Sequence, residues 1–578
     1  MDNDKAKLLL ENLIARIVVD SESGQGSLSG VLTPLEVSTL KKALAILSEP
    51  AVLTLQPEEE DGHSNEAQIG DNHVINPKDR SVLDNKSQIQ LELNLDSLRF
   101  ETPEEKNIKL CLDFGTAMSK AFASIINEDD IIKKMPLRLG RQASGGKSKT
   151  IYPVPSSLWI DKDGNIFLAE KAIALSLQAD PSGERQRFDS LKKELILGLK
   201  ESTPFQKLME KAQNPTNVPF SNGDAIMLYL GYLTDLACTE LQETHGCSRY
   251  VSRNFALPSW TPERRAWGEK ILKKMLIKAQ IIADTFHGKW EQGININSAK
   301  SVIDKINSLE KLPEYIVAKG ITEPLAVGSS KLRQEEPSRG LVLVLDVGAG
   351  TSDFALFIVV EDPKRNLFNA FPIKGSNQSL HMAGDTLDNA LFSSILKKAG
   401  ITNMDSDYKY VVQDLRMRIR SLKEDLFRDD YIVATLINGD RLTIEKAEFI
   451  NEDSVHHFSS KLAEKFNEVI NTMKKGLAQH FGSGGVSIVL TGGGATLPMV
   501  KNLAKGTITL QGITIHKDEI PLVPEEFKGD SEIAYVYPQL AVAIGGTMPV
   551  IIDEKDELDD FDIPTGPPTL HRFPISGN

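Results

Sequence analysis

The chain has 578 residues, enough for two or three domains and a sizeable core, and its formal charge of −14 argues against a surface that grips nucleic acid. Three cysteines, Cys111, Cys238 and Cys247, form no metal-binding or disulfide pattern, which is the usage of a reducing compartment. The start Met-Asp-Asn-Asp-Lys has no basic-then-apolar leader, and no apolar run approaches the ~20 residues that span a bilayer. The expectation is a soluble cytoplasmic protein with neither membrane nor nucleic acid as a partner.

Residues 4 to 19 set Leu8, Leu9, Ile14 and Ile17 among Lys, Glu and Arg, the period of an amphipathic helix. Thr33-Pro34-Leu35-Glu36 is a capping box with proline in the first turn and opens a second helix to about Leu47. Residues 1–55 are therefore expected to form a helical hairpin. Such a piece buries little alone, so it either docks on the main domain or pairs with another molecule. From 56 to 107 the acids outnumber the bases, as in Glu58-Glu59-Glu60-Asp61, which predicts a linker. Within it Ile89, Leu91, Leu93 and Leu95 alternate with polar residues and predict one half-buried strand.

Residues 108 to 126 read as strand, polar tip, strand: an apolar run with Cys111 at its middle leads into Asp113, Gly115, Thr116 and Ala117, and a second run ends at Ile126. The following stretch to 255 has the makeup of an inserted surface subdomain. Ser144-Gly145-Gly146-Lys147-Ser148 imitates a phosphate loop, but Arg141 stands where its first glycine belongs and no long apolar strand precedes it. A mobile basic loop is predicted. Asp161-Lys162-Asp163-Gly164-Asn165 imitates the opening of a calcium loop, yet Gly164 comes too early and the run lies between two apolar triplets, which predicts a hairpin turn. Residues 262 to 318 are Lys/Glu-rich and predicted helical.

The plan of the first hairpin returns at 341 to 357. Leu341 to Leu345 is a buried strand running into Asp346; Gly348, Ala349 and Gly350 turn the chain; Thr351 and Asp353 open the return strand, which continues from Phe354 to Val360. Glycines with an Asp at a hairpin tip are ordinarily just a turn. A repeated copy suggests two similar lobes, with tip N–H groups and Thr351 able to cradle phosphate oxygens and Asp346 and Asp353 offering hard oxygen charge to hydrated Mg²⁺. An insertion from about 390 to 480 follows, with helix predicted over Asp388 to Lys423, strands from Ala434 to Ile444 around Asn438-Gly439, and helix over Ser454 to Lys475. His456 and His457 are adjacent, point to different faces and do not make a metal pair. Val486 to Pro498 is a strand entering Gly492, Gly493 and Gly494 ahead of a helix, a turn against which a nucleoside can lie.

These elements, in this order, resemble the superfamily of actin, sugar kinases and the seventy-kilodalton heat-shock chaperones. The nearest likeness is to the chaperones' ATPase domain, over about residues 108 to 550. Phe188-Asp189-Ser190-Leu191-Lys192-Lys193 is similar to the segment with their catalytic lysine, Lys192 being the better register. Ala256-Leu257-Pro258-Ser259-Trp260 is similar to their switch-proline strand, and Ile321-Thr322-Glu323-Pro324-Leu325-Ala326 to the segment with their catalytic glutamate. Met382 to Asn389 resembles their Gly-Gly-Glu-Asp-Phe-Asp-Asn, Ser421-Leu422-Lys423 their ribose- and adenine-touching helix, and Pro538 to Gly546 their closing helix.

The resemblance implies an α/β, two-lobed actin-like ATPase fold of duplicated ribonuclease H-like lobes with an N-terminal helical extension. Lobe I would be 108–340 and lobe II 341–552, each with an inserted subdomain, followed by a disordered acidic, Pro-rich tail at 553–578. It implies ATP and Mg²⁺ as cofactors, with Asp113 and Asp346 holding the metal through waters. Nucleotide contacts would come from Gly115, Thr116, Ala117, Gly348, Ala349, Gly350, Thr351, Gly384, Asp385, Lys423, Gly492, Gly493, Gly494 and Thr496. Lys192 would reach the terminal phosphate or the attacking water, Glu323 and Asp353 would orient that water, and Thr116 and Thr351 would bond phosphate oxygens.

Departures from the pattern bear on the base more than on the phosphates. Arg420 stands where the family has an acidic contact, Glu424 where an arginine follows the lysine, and Thr496 where an arginine stacks on adenine; Arg264 and Arg265 are out of register with the switch arginine. Too few residues follow Gly546 for a peptide-clamping β-domain, so an orthodox foldase cycle within this chain is not expected. The function implied is a heat-shock-like ATPase switch acting through protein partners by its N-terminal module or tail. A nucleotide-dependent actin-like filament and a small-molecule kinase of the superfamily are the alternatives, separable by sedimentation and by a screen for phosphorylated product.

Overall fold

The computed structural model describes residues 17–19, 26–28, 91–127, 130–140, 152–179, 185–197, 203–258, 262–331, 338–362, 367–481, 485–510 and 512–548. The chain divides into two units, Met1–Gln90 and Leu91–Asn578. In the first, Ile17–Val19 pairs antiparallel with Gly26–Leu28. Ile17, Val18 and Val19 form a β-branched run that favours a strand, so the end of the helix predicted over 4 to 19 is corrected here. The rest of that helix, the capped helix from Thr33, the acidic run at Glu58, the basic loop at Ser144 and the tail after 552 lie outside the described residues.

The second unit is α/β and contains two large mixed sheets built on one plan. In the first, β1 (Ile108–Asp113), β2 (Met118–Asn127) and β3 (Asp130–Pro136) form an antiparallel meander, and β4 (Arg253–Leu257) and β5 (Val317–Thr322) add in parallel beside β1. The order is β5-β4-β1-β2-β3. In the second, β6 (Ser338–Val347), β7 (Ser352–Asp362) and β8 (Leu367–Pro372) form the meander, and β9 (Val486–Thr491) and β10 (Ile513–Glu519) add in parallel. The order β8-β7-β6-β9-β10 repeats the first over these five strands, and Thr507–Leu510 adds antiparallel beyond β10.

Both faces of β6 are covered, which explains its unbroken apolar run. Leu341, Leu343 and Leu345 face a cluster completed by helices α4 (Gly384–Ala399), α5 (Tyr408–Asp429) and α6 (Asp453–Ile470). Val342 and Val344 face another that also takes Phe122, Ala256 and Ile321 from the first sheet. That shared layer is filled by α3 (Glu323–Lys331) and α7 (Ser531–Gly545), which pack so closely that a Cβ on Gly545 would overlap the Ala326 backbone. The far side of the first sheet is covered by α1 (Asn222–His245) and α2 (Pro262–Phe286). α1 starts on a complete capping box, Ser221 with Asp224, and ends on Gly246 at φ 69°.

Leu91 and Leu93 pack against the first core, Asn94 N bonds Thr285 Oγ1 at 3.1 Å, and Tyr315 OH donates to the Ser97 carbonyl at 2.9 Å. The stretch predicted as linker to 107 therefore joins the second unit from Leu91, and in place of a ladder strand it ends in a short 3-10 turn, Asp96–Arg99. The turn at Asp161 is a hairpin, with the Asp161 carboxylate accepting from Asp163 N and Asn165 N and with Gly164 at φ 80°. The helix predicted from Asp388 to Lys423 is two helices parted at Gly400, whose φ of 67° ends α4. Tyr431–Thr435 and Arg441–Glu445 form the predicted ribbon, and His456 and His457 are exposed on α6. Among the described residues no helix is long and apolar enough to cross a membrane.

Candidate functional site

The two hairpins end in braced tips. In the first, Asp113 lies opposite Lys120 across the β1–β2 pair, and the ammonium reaches Asp113 Oδ2 at 3.2 Å. Gly115 is required because a Cβ there would overlap the Met118 carbonyl oxygen. Ser156 steadies the turn, its Oγ donating to the Gly115 carbonyl at 2.8 Å and its N–H to that of Ala117 at 2.8 Å. In the second hairpin Asp346 lies opposite Asp353, Gly348 N donates to the Thr351 carbonyl at 3.0 Å, and Thr351 Oγ1 donates to Asp353 Oδ2 at 2.7 Å. The start of α4 docks on this tip: Gly384 N and Asp385 N bond the carbonyls of Gly348 and Ala349 at 3.1 and 2.7 Å. Those two N–H groups serve the hairpin.

The tips meet. A Cβ on Gly350 would stand 3.3 Å from Thr116 Cγ2 and 3.2 Å from Lys193 Cε, so the second tip runs against side chains of the first half of the unit. Behind them Asp113, Glu323, Asp346, Asp353 and Lys192 are all buried. Lys192 opens a short helix, Lys192–Leu197, just after Ser190, whose φ of 60° turns the chain inward at the strain expected of a non-glycine residue there. Its ammonium pairs with Glu323 Oε1, the first residue of α3.

The electrostatics follow from burial and crowding. Burial, then Glu323 and Asp353, push the Asp346 carboxyl well above the usual carboxylate range; Lys120 opposes this and Asp113 adds to it. Asp353 is pushed up to about 7, first by burial and then by Glu323, against the Thr351 and Ser379 hydroxyls and Lys192. For Lys192, burial works to lower the pKa, but Glu323 and Asp113 outweigh it and the net shift is upward. Four buried carboxylates thus share the space with two ammonium groups, those of Lys120 and Lys192. Asp353 Oδ1 is buried with no hydrogen-bond partner. Among the described residues no three His, Cys, Asp or Glu side chains enclose a metal by themselves. The hard oxygens of Asp113, Asp346 and Asp353 are donors of the kind that a hydrated Mg²⁺ takes.

The glycine turn after β9 packs against Asp346 and Val347. Gly492, at φ 82°, donates its N–H to the Pro538 carbonyl at 2.8 Å, and a Cβ on it would overlap Asp346 Oδ1. A Cβ on Gly494 would come 2.5 Å from Val347 Cγ1, while Gly493 and Thr496 are exposed. Lys423 pairs with Asp388 Oδ1 at 2.7 Å and donates to the Gly384 carbonyl at 3.0 Å. Arg420 pairs with Asp385 Oδ1 at 3.2 Å and reaches Ser190 Oγ at 3.4 Å, and Lys193 also pairs with Asp385. Gln413 Nε2 donates to the Arg185 carbonyl at 2.8 Å, and Arg187 Nη2 to that of Met417 at 3.2 Å. Residues 185–193 and α5 are thus tied together beside the hairpin tips.

Asp113, Thr116, Lys192, Glu323, Asp346, Thr351, Asp353 and Gly492 converge on one place, with Gly384, Asp385 and Lys423 at its margin. Pro258 ends β4 in a buried position, and residues 259–261 lie outside the described residues. Lys120 was not among the residues anticipated; the signal for it was positional, since it follows Asp113 at the same spacing at which Asp353 follows Asp346. No protein-family model matches this chain.

Proposed function

We propose that this chain is an ATP-binding and ATP-hydrolysing switch with an actin-like, two-lobed ATPase fold, nearest in kind to the heat-shock chaperones, and that it acts through protein partners. The observation that carries the reading is the meeting of Thr116 and Gly350 at two like hairpin tips, over buried Asp113, Asp346 and the Lys192–Glu323 pair. The repeated strand order of the two sheets supports duplicated lobes. Buried acid with a shortage of positive charge is a costly arrangement for a purely structural core, and it favours a site that receives a cation.

Mg²⁺, held through waters by Asp113 and Asp346, would supply charge to the terminal phosphates of a bound nucleotide. The chain's own groups do the rest. Thr116 and Thr351 offer hydroxyls to phosphate oxygens. Lys192, kept protonated and held by Glu323, would be the ammonium that meets the terminal phosphate. Asp353, with a pKa of about 7 and Oδ1 unengaged, is suited to take a proton from an attacking water near neutral pH. The contacts of Lys193 and Arg420 with Asp385 and Ser190 tie the two sides of the gap, so occupancy of the gap is coupled to their relative position. Output would pass to a partner by residues 1–55 or the tail 553–578.

The test is nucleotide binding and hydrolysis by the purified chain with Mg²⁺, alongside Lys192→Ala and Asp346→Ala shown to be folded by circular dichroism. Slow phosphate release that both substitutions abolish supports the reading. Unchanged release in both removes the site assignment.

A further inference from the structure

Outside the roles given above, one charged group in the gap stands out. The two hairpins are copies in register, so the residue opposite Asp346 and the residue opposite Asp113 occupy the same place in each. In the second hairpin that place holds Asp353; in the first it holds Lys120. The second pair therefore sets two carboxyl groups face to face, whereas the first sets a carboxylate against an ammonium. Lys120 is not a loose surface lysine: its side chain is 14 % exposed, its Nζ lies 3.2 Å from Asp113 Oδ2, and it stands over Gly115, where a Cβ would come 3.3 Å from the same nitrogen. Its neighbours Ser119 and Ala121 are buried, which holds the strand in place.

Resting on the nucleotide reading, we propose that Lys120 is a tethered counter-cation that withholds Asp113 from a free divalent ion, so that the site takes up metal together with a polyphosphate and not before it. A free ion needs hard oxygen donors from both hairpins, and Asp113 is already engaged. Taking Asp113 from Lys120 without replacement would strand an ammonium among buried groups. A polyphosphate removes that obstacle, because its oxygens give the Lys120 ammonium a new charge-assisted partner and release Asp113 to the water shell of the incoming ion. Lys120 is then a positioning residue that sets the order of assembly and the class of ligand accepted, a cation–polyphosphate in preference to a bare cation.

The experiment titrates Mn²⁺ into metal-stripped full-length protein, reading free Mn²⁺ by electron paramagnetic resonance, for wild type, Lys120→Met and Lys120→Arg. Methionine keeps the length and removes the charge; arginine keeps the charge. Without nucleotide, wild type and Lys120→Arg should bind Mn²⁺ weakly, and Lys120→Met should bind about tenfold or more tightly, since its Asp113 is no longer held by the ammonium across the strand pair. Lys120→Gln takes the place of the methionine variant should that one not fold. Equal Mn²⁺ affinity in wild type and a folded charge-removing variant overturns the proposal. A non-hydrolysable ATP analogue should tighten Mn²⁺ binding by wild type; no tightening, with the contrast between variants intact, refutes the nucleotide reading and supports Lys120 as the group that repels the bare ion.

Discussion

Asp353→Asn separates the electrostatic cost of the gap from its chemistry. Burial, then Glu323, push the Asp353 carboxyl up to about 7 in the folded chain, against roughly 4 for an ordinary aspartate. The native state therefore binds this proton more tightly than the unfolded chain does, and the linkage runs toward lower stability as pH rises through the interval between those values. Above about pH 7 the ionised carboxylate costs the fold about 4 kcal/mol, and at about pH 5 only about 2 kcal/mol, because the native group is then mostly protonated. Asparagine keeps an oxygen to accept from Thr351 Oγ1 and removes the charge. With roughly 2 cal/mol/K of unfolding entropy per residue over several hundred ordered residues, the gain at about pH 8 amounts to about 5 °C in the melting midpoint. The assay is a pair of thermal melts in chelator, at about pH 5 and about pH 8, for wild type and variant. A gain that is larger at the higher pH, together with loss of hydrolysis, is the expected result. A variant no more stable than wild type at about pH 8, or a difference that does not change with pH, refutes the account of Asp353 as an ionisable group held out of its ordinary range.

Lys192→Met leaves Glu323 buried without its cation and should lower stability by about 3–5 kcal/mol in denaturant titration, while Lys192→Met with Glu323→Gln recovers most of that loss without recovering hydrolysis. Gly492→Ala must adopt a positive φ and overlap Asp346 Oδ1, so a loss of about 2 kcal/mol or more and weakened nucleotide binding in a titration are expected. Gly545→Ala drives a methyl group into the Ala326 backbone and should cost about 3 kcal/mol, measured as a lower denaturant midpoint. Deleting residues 91–100 in addition to 1–90 should lower the melting midpoint below that of the chain lacking 1–90 alone, since it removes Leu91 and Leu93 from the core and the acceptor of Tyr315 OH; equal midpoints would contradict the placement of that segment.

What could be read from the sequence was what adjacent residues encode. Each hairpin is a local object: apolar run, acid, glycine-bearing tip and return strand occur within some twenty residues, so their period and turn chemistry suffice to predict them. The same holds for the ribbon around Asn438-Gly439 and the turn at Asp161. Errors fall where a local pattern had competitors. Ile89, Leu91, Leu93 and Leu95 alternate like a strand, but among the described residues no strand pairs with 91–95, and Leu91 and Leu93 pack on the core as side chains. Ile17 to Val19 fitted a helical period, yet three β-branched residues in a row went to a strand paired with Gly26–Leu28.

Charge pairing between strands was beyond such reading, and Lys120 shows why. Its spacing from Asp113 could have been matched to that of Asp353 from Asp346, but a lysine in a strand ordinarily points to solvent with its stem lying on the surface. Only the cross-strand register turns that spacing into a contact, and only the approach of Gly350 to Thr116 places the contact beside Asp346, Glu323 and Lys192. The charge of the first hairpin thus depends on tertiary closure as well as composition: Asp113 pairs locally with Lys120, Glu323 pairs with a lysine far away in sequence, and the crowding falls on Asp346 and Asp353 of the second hairpin, whose carboxyls are pushed above their ordinary range. Under the proposal made above, a cation would displace protons from the second hairpin, and whether it also engaged the first would depend on Lys120.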